Sequence, residues 1–279
     1  MRFVSYEYNE GVKVGAVIDN GIIDLSDAGP SLKAVLATGP LDNLIKVAEQ
    51  RSPTVDLDHV VLHQVVPDTG RIICVGKNYK DHAKEMGGEV PANPNLFMRT
   101  AQSIVGHQQS VIMPKVSDQY DFEGELAVVM GRGGRHIPAD KALEYVAGYT
   151  CFLDGSVRNY QKHSFTAGKN FDSSGACGPW LVPAREIPDP QALGLITRLN
   201  GEVMQQASTQ DMIFSVAVII SYISEFTHLE PGDVLATGTP AGVGAGRTPP
   251  LWLTPGDHIE VEIENVGTLS NSVKAEAEV

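Results

Sequence analysis

Cysteine is scarce in this chain of 279 residues, which contains only Cys74, Cys151 and Cys177. Their number is odd, they are widely spaced, and no Cys-x-x-Cys pair occurs, so the sequence indicates neither a disulfide framework nor a cysteine zinc site. A His-Glu-x-x-His motif is absent as well, which removes the other common zinc pattern. We therefore expect reduced thiols and a cytoplasmic protein in which any metal is held by other ligands.

Long apolar runs and an excess of positive charge are also missing. The longest apolar stretch, residues 212–223, is interrupted by two serines and is shorter than the roughly 18 residues typical of a membrane span. No apolar segment follows Arg2 as it would in a secretory signal. The formal net charge is −13, whereas nucleic-acid binding needs a basic face. We expect no membrane and no nucleic-acid partner, while local cations or a metal can still hold a small anionic substrate.

Residues 1–66 are predicted to form a small N-terminal module of β-hairpins and short helices. Strands are predicted at residues 3–8 and 12–19, and Asn20-Gly21 is a strong two-residue hairpin signal before a further strand. A polar stretch with prolines then suggests a domain boundary near residues 52–68.

Residues 67–279 are predicted to form a larger domain with a β-rich core. The longest predicted helix covers residues 209–228, where Ser208 and Asp211 have the spacing of a capping box. Apolar or alternating patterns predict strands at residues 71–76, 122–130, 147–153 and 259–263. Because the strands are short and numerous and do not alternate regularly with helices, the pattern favours an α+β fold.

Two acidic residues stand at the start of the most apolar strand, which covers residues 122–130. Side chains in a strand alternate between its faces, so Glu123 and Glu125 project from the same face. If both enter the core, each loses hydration and repels the other, and a divalent cation is the simplest way to keep both charged. The alternative is an ordinary solvated strand end, because exposed glutamate is the usual case.

Asp154 is a candidate third oxygen ligand, since it directly follows the apolar strand at residues 147–153. Its alternative role is to start a turn before Gly155. A ligand set made only of carboxylates suits a hard ion such as Mg²⁺ or Mn²⁺ rather than zinc.

Other residues with possible chemical roles are His82, Glu85 and Lys169. His82 and Glu85 are three residues apart, so on a helix the carboxylate can orient the imidazole as a base. Such pairs are also common on ordinary helix surfaces. Lys169 lies in a polar loop with glycine that lacks the spacing of a phosphate-binding P-loop.

A glycine-rich loop at residues 238–244 follows an apolar strand, and its N–H groups are candidates to bind an anion. The loop lacks Gly-x-Gly-x-x-Gly spacing, so a dinucleotide site is not indicated. The absence of Gly-x-Ser-x-Gly excludes the nucleophile elbow of serine hydrolases.

These segments, in this order, resemble the fumarylacetoacetate hydrolase family, in the branch of acylpyruvase-like and 2-hydroxyhepta-2,4-diene-1,7-dioate isomerase-like enzymes. The resemblance covers about residues 70–279. The matching segments are GKNYKDHAKE at 76–85, LFMR at 96–99, DFEGELAVV at 121–129, DGSVRNYQ at 154–161, GKNFD at 168–172, GPW at 178–180 and TGTPAGVG at 237–244.

The resemblance implies the family's β-rich mixed-sheet roll and a homodimer. It also implies Mg²⁺ or Mn²⁺ at the three carboxylates, an active-site lysine at Lys169, a catalytic dyad of His82 and Glu85, and substrate contacts from Gln161 and Thr239. One position departs from the pattern, because Arg99 stands where many relatives have lysine. A guanidinium can grip a carboxylate with two prongs, so we expect Arg99 to bind a substrate carboxylate, with a surface role as the alternative.

The function that the resemblance implies is hydrolytic C–C cleavage of a 2,4-diketo acid of the acylpyruvate kind, giving pyruvate and a carboxylic acid. His82 is expected to activate water and Lys169 to stabilise negative charge. Decarboxylation or keto–enol isomerisation at the same site is the alternative, because the family performs all of these reactions. A non-catalytic protein that binds keto acids is a further alternative, although a binder needs neither the dyad nor Lys169.

Overall fold

The computed structural model describes residues 1–9 and 11–277 of the chain, and these form an α+β structure dominated by strands. The α-helices are α1 (Leu32–Thr38), α2 (Leu41–Ala48), α3 (Lys80–Glu85), α4 (Arg158–Gln161), α5 (Phe165–Lys169) and α6 (Val216–Phe226). The strands are β1 (Arg2–Glu7), β2 (Val12–Ile18), β3 (Gly21–Asp24), β4 (Val55–Asp56), β5 (Val61–Leu62), β6 (Ile72–Gly76), β7 (Asn95–Arg99), β8 (Ile104–Val105), β9 (Val111–Met113), β10 (Tyr120–Asp121), β11 (Gly124–Met130), β12 (Val146–Leu153), β13 (Ser156–Val157), β14 (Gly175–Pro183), β15 (Gly194–Leu199), β16 (Glu202–Ser208), β17 (Val234–Ala236), β18 (His258–Ile263) and β19 (Gly267–Ala275).

The largest sheet joins the N-terminal strands to the rest of the molecule. Its strand order is β4-β3-β2-β1-β14-β12-β11-β17-β6-β7, with β5 beside β1 and β8 beside β14. The link is the pairing of Phe3 with Leu181. The N-terminal module therefore extends the main sheet, and a boundary near residue 66 stays a prediction.

The strands at the centre of this sheet end at one common edge. Gly124 at the start of β11 pairs with Leu153 at the end of β12. Because β17 runs antiparallel to β11 and parallel to β6, the carboxyl ends of β17 and β6 reach the same edge. Residues that come directly before β11 and directly after β12, β17 and β6 are thus brought together from distant parts of the chain.

A second sheet packs against β11 and β12. Its strand order is β16-β15-β18-β19-β9, and the alternating apolar residues of β18 predicted from the sequence are buried. The two sheets enclose the main core on one face of β11 and β12, and a second apolar cluster, which includes residues of α1 and α2, covers the other face. Both strands are therefore completely buried. The β-rich α+β fold expected from the sequence is confirmed. None of the helices in the described residues is both long and apolar enough to cross a membrane.

Two local predictions need correction. The tight turn between β2 and β3 consists of Asp19 and Asn20, one residue earlier than the predicted Asn20-Gly21, because Ile18 pairs with Gly21. Gly21 is needed within the strand, since a Cβ there would lie 2.5 Å from the Cβ of Pro53. The close approach of Pro53 therefore requires glycine at this strand position.

The predicted helix at residues 209–228 is divided. Ser208 and Asp211 do form a capping box, but on a short 3₁₀ turn, Thr209–Asp211. The backbone N–H groups of residues 213 and 214 then donate to the backbone and side-chain oxygens of Asn78, at 2.7 and 2.8 Å. These bonds interrupt the helix, and α6 begins after Ser215, whose side chain accepts a bond from the N–H of Val218.

Candidate metal centre and active site

Three buried carboxylates meet at the common edge of the central strands. Glu123 directly precedes β11, Glu125 belongs to it, and Asp154 follows β12. One ligand oxygen from each lies within 4.8 Å of the others, and all three residues are buried. The structure therefore brings together the carboxylates that the sequence analysis selected as metal ligands.

Glu123 is surrounded by positive charge. Its Oε1 accepts a hydrogen bond from Arg158 at 2.7 Å, and its Oε2 accepts one from the Lys169 ammonium at 2.5 Å. Burial by itself would raise the pKa of Glu123, but the charges of Arg158 and Lys169 outweigh burial and hold this pKa below its usual range. Glu123 is therefore ionised.

Glu125 has no such cation beside it in the described part of the chain. Its carboxylate accepts one bond, from the N–H of Gly238 at 2.8 Å. Burial raises the pKa of Glu125 well above its ordinary value, and the negative charges of Asp154 and Glu123 raise it further. The protein alone thus leaves one carboxylate of the cluster without a compensating charge.

The missing positive charge at Glu125 bears on whether the cluster suits a metal. Lys169 Nζ lies 2.5 Å from both Glu123 Oε2 and Asp154 Oδ2, and burial of its charge is offset by Asp154 and Glu123, which together raise its pKa. Even so, no lysine or arginine within residues 1–9 and 11–277 donates a hydrogen bond to Glu125, and the charge of Lys169 is too weak an influence to prevent the rise of its pKa. Three converging carboxylates with an unmet need for positive charge are the donor set of a hard divalent cation, so the residues fit such an ion.

An imidazole–carboxylate pair lies beside the cluster. His82 on α3 is buried, and its Nδ1 is 3.1 Å from Glu85 Oε2. The other ring nitrogen, Nε2, is 4.0 Å from Glu123 Oε1. Glu85 is itself fixed by the N–H of Gly242, which donates to its Oε1 at 2.9 Å. The carboxylate therefore orients the ring so that Nε2 faces the acidic cluster.

The cluster and the dyad open into one cavity of about 610 Å³. His82, Lys169 and the three carboxylates line its polar side. The apolar part of the lining includes Met86, Phe97, Phe165, Pro250 and Trp252. A small acid can therefore bind its polar end at the cluster with the rest of the molecule against an apolar wall.

Comparison with protein families fits this geometry. The model of the fumarylacetoacetate (FAA) hydrolase C-terminal domain matches residues 71–274, which include every residue of the acidic cluster and the dyad. The chain belongs to the fumarylacetoacetate hydrolase family. The resemblance stated from the sequence is thereby confirmed.

Individual family members differ in the reaction that their names describe. Oxaloacetate tautomerase YisK of Bacillus subtilis is 39% identical over 302 residues, covering 98% of this chain and 100% of that protein. Among solved structures, a putative HpcE protein from Mycobacterium smegmatis has a TM-score of 0.90 and 34% identity, covering 99% of this chain and 100% of that chain. Maleylpyruvate hydrolase from Sphingobium sp. SYK-6, in complex with manganese(II) and pyruvate, has a TM-score of 0.84 and 26% identity, with the same coverage.

Arg99 does not occupy the position that the sequence analysis expected, which was that of a substrate ligand. It is buried behind Asp154, whose Oδ1 accepts a hydrogen bond from Arg99 Nη1 at 2.5 Å. All five N–H donors are used within the protein, the others by the Ser103 side chain and carbonyl, the Gly155 carbonyl and the Ser174 hydroxyl. None is left for a substrate carboxylate, so the geometry gives Arg99 the role of holding Asp154, and it is not a surface residue either.

Gln161 and Thr239 both line the cavity, as a role in substrate binding requires. Gln161 Oε1 accepts a bond from Arg158 at 2.8 Å, which leaves its amide N–H groups as donors. The one hydroxyl hydrogen of Thr239 is donated to the carbonyl of Gly124 at 2.9 Å. The Thr239 hydroxyl can thus only accept a bond from a substrate. Their contacts with substrate stay predictions.

Arg158 and Asp121 are site residues that the sequence analysis did not select, although both lie in segments that carry the resemblance. Arg158 donates to Glu123, Gln161 and, at 2.8 Å, Asp121. The spacing of these residues in the sequence gives no sign that they converge. Only the antiparallel pairing of β10 with β13 brings Asp121 close to Arg158.

The glycine-rich loop binds anionic groups, but these belong to the protein itself. Gly238 donates to Glu125 and Gly242 to Glu85, while the N–H groups of residues 244 and 245 donate to the Asp121 carboxylate at 2.7 and 3.0 Å. The loop therefore fixes one metal-ligand candidate, the orienting acid of the dyad and the partner of Arg158. The expectation that it holds an external anion has to be revised accordingly.

Proposed function

We propose that this protein is a metal-dependent enzyme that interconverts the keto and enol forms of a 2-keto dicarboxylic acid of the oxaloacetate kind. The observation that carries the proposal is the orientation of His82 Nε2 toward the acidic cluster, with Glu85 on the other ring nitrogen. A base that points at a site for a divalent cation is suited to removing a proton next to a carbonyl group. The similarity over almost the whole chain to an oxaloacetate tautomerase supports this choice of reaction.

Glu123, Glu125 and Asp154 would hold Mg²⁺ or Mn²⁺, which when bound supplies a Lewis acid for the oxygens of the keto acid. Glu85 accepts the Nδ1 hydrogen of His82 and so keeps the lone pair of Nε2 available. His82 Nε2 takes a proton from the carbon beside the carbonyl, and a carbon–carbon double bond forms as the electron pair of the C=O π bond moves to the oxygen. The protonated His82 then gives this proton to the oxygen, which becomes the enol hydroxyl, and the imidazole is neutral again. Lys169, whose pKa is raised, stays charged and stabilises negative charge on that oxygen.

Hydrolytic cleavage of an acylpyruvate is the second candidate, supported by the similarity to maleylpyruvate hydrolase. In that reaction His82 would activate water. Decarboxylation needs the same cluster. A binding protein without catalysis is the least supported alternative, because binding alone does not require an oriented imidazole. A homodimer and a cytoplasmic location stay predictions from the family resemblance and the sequence.

Ultraviolet absorbance separates these reactions, since keto and enol forms absorb differently and diketo acids lose absorbance on cleavage. We expect Mg²⁺ or Mn²⁺ to support rapid relaxation of freshly dissolved oxaloacetate and EDTA to abolish it. His82→Ala should lower kcat by roughly 10²- to 10⁴-fold, the usual range for loss of a general base. Lys84→Ala, at an exposed position on the same helix, is the matched control and should retain wild-type rates.

Full activity after exhaustive removal of metal would contradict the proposal. Rapid loss of acetylpyruvate with no effect on oxaloacetate would instead favour hydrolysis.

A further inference from the structure

Gln205 is a buried polar residue of the second sheet that lies outside the cavity lining. It belongs to β16, and 1% of its surface is exposed. Neighbouring β16 residues are more exposed, as expected for the edge strand of a sheet. A fully buried carboxamide at an edge position needs partners for each of its polar atoms.

Those partners are two segments of the candidate metal centre. Gln205 Oε1 accepts a hydrogen bond from the N–H of Gly124 at 2.9 Å. Its Nε2 donates to Thr239 Oγ1 at 2.7 Å and to the Pro240 carbonyl at 2.8 Å. One carboxamide therefore connects the residue between Glu123 and Glu125 to the glycine-rich loop.

Thr239 closes this connection into a ring. Its hydroxyl donates to the carbonyl of Gly124 at 2.9 Å, so both the N–H and the C=O of Gly124 are held. Gly124 also packs closely on the second sheet, because a Cβ there would lie 2.1 Å from Thr197 Oγ1. These contacts restrict rotation of the backbone between the two glutamates.

The orientation of this backbone determines where both glutamates point. The same loop also fixes Glu125 directly through the N–H of Gly238. Gln205 thus influences the position of Glu125 in two ways. It holds the backbone of the Glu125 strand at Gly124, and it holds the loop that binds the Glu125 carboxylate. Groups behind the ligands of a metal commonly set its affinity in this way.

We propose that Gln205 is a positioning residue of the metal centre, which aligns Glu123 and Glu125 with the Thr239 loop and thereby raises the affinity for a divalent cation. This inference rests on the proposed metal-dependent function. It assigns a role in the affinity of the site to a residue of the second sheet, outside the strands next to the three carboxylates.

A purely structural role is the competing explanation, and Asn271 provides the matched control. Asn271 is also 1% exposed and lies on β19 of the same sheet. Its amide donates to the carbonyls of Gly106 and Gln109 at 2.8 and 2.7 Å. Neither partner lines the cavity, so loss of this side chain removes two buried hydrogen bonds, compared with three at Gln205, without touching the metal centre.

The test measures Mn²⁺ binding by calorimetry together with thermal unfolding of the metal-free protein. Gln205→Met keeps the length of the side chain and removes its hydrogen bonds, and Asn271→Leu does the same at the control position. We expect both variants to unfold at lower temperature. Only Gln205→Met should weaken Mn²⁺ binding, by roughly 10- to 100-fold, while the affinity of Asn271→Leu stays within a factor of two of wild type.

Gln205→Asn covers the case in which Gln205→Met does not fold. It retains the carboxamide but is too short to reach both segments, so we expect an intermediate loss of Mn²⁺ affinity with a small loss of stability. Wild-type Mn²⁺ affinity in a folded Gln205 variant overturns this inference while leaving the proposed function intact. Failure of the wild-type protein to bind Mn²⁺ or Mg²⁺ overturns both.

Discussion

Asp154 and Asp233 are among the buried aspartates that an arginine holds, yet the surroundings of these two differ. Asp233, before β17, binds Arg71 through both carboxylate oxygens and accepts the N–H of Glu230 at 2.8 Å. Asp154, after β12, binds Arg99 and Lys169. Asp233 lies outside the cavity, whereas Asp154 lines it.

The balance of charge explains the difference. Asp233 and Arg71 form a closed pair, and Arg71 donates its remaining bonds to Thr227 and the His228 carbonyl. Around Asp154, four buried carboxylates face three buried cations: Asp121, Glu123, Glu125 and Asp154 against Arg99, Arg158 and Lys169. A balanced pair outside the cavity of the acidic cluster stabilises the fold, whereas an unbalanced cluster that lines this cavity is ready to take a cation.

The largest expected contrast is between Asp154→Asn and Asp233→Asn. Each variant leaves an arginine without its carboxylate, so each should lower the free energy of unfolding by about 3 kcal/mol. Only Asp154→Asn should lose metal binding, and its kcat should fall by roughly 10²- to 10³-fold, as when a charge-stabilising group is removed. Chemical denaturation and steady-state kinetics below both melting temperatures give the two quantities.

In this comparison Asp233→Asn serves as the control for stability. Its kcat should stay within about threefold of wild type once the folded fraction is taken into account. Equal losses of kcat in the two variants would contradict the assignment of Asp154 as a metal ligand. Loss of an arginine–carboxylate pair would then be sufficient to explain the lower kcat.

The corresponding arginines give the next largest effect. Arg99→Lys keeps the positive charge but replaces five donors with three, so the bonds to Ser103 and Ser174 cannot all be kept. Asp154 is then held less firmly, and Mn²⁺ affinity should fall by roughly tenfold. Because Arg99 does not reach the cavity, kcat/KM should fall by the same factor for keto acids with one and with two carboxylates.

Arg71→Lys is the matched control, since it weakens the closed pair. It should lower the melting temperature and leave Mn²⁺ affinity at its wild-type value. A loss in Arg99→Lys that is confined to dicarboxylate substrates would restore the role in substrate binding that the sequence suggested.

Arg99 also marks the limit of what the sequence could predict. Alternation along β11 and the position of Asp154 after β12 were sufficient to propose the three ligands, because strand geometry fixes on which side each residue lies. The direction of Arg99 depends on residues 55 and 75 positions further along the chain. The same limit applies to Arg158 and Gln205, whose partners are brought close only by the pairing of strands and the packing of one sheet on the other.

The two errors in local structure have the same origin. The Asn20-Gly21 turn signal and the long apolar helix pattern are both strong local preferences. In the structure Gly21 pairs with Ile18 and lies against Pro53, and bonds to Asn78 interrupt the helix. Local patterns therefore predicted the type and approximate position of most elements, whereas contacts distant in sequence determined where some of them begin and end.

The smallest expected effect concerns Glu125, and it has the opposite sign for stability. In metal-free protein the Glu125 carboxylate is buried beside Asp154 and Glu123 with only the Gly238 N–H as a partner. In Glu125→Gln the side-chain oxygen can keep that bond, while the new N–H groups can donate to the neighbouring carboxylates. We expect the metal-free variant to be more stable than wild type by about 0.5–2 kcal/mol, as is typical when a functional site is relieved of unfavourable charge. Saturating Mn²⁺ should reverse the order, because wild type gains stability from binding whereas the variant has lost a ligand.

Glu230→Gln, an exposed change beside the Arg71–Asp233 pair, should shift stability by less than about 0.5 kcal/mol with or without metal. Thermal unfolding of the three proteins in EDTA and in Mn²⁺ measures all of this, and a Glu125→Gln protein that is less stable than wild type in EDTA and equally stabilised by Mn²⁺ would show that Glu125 is not the uncompensated charge.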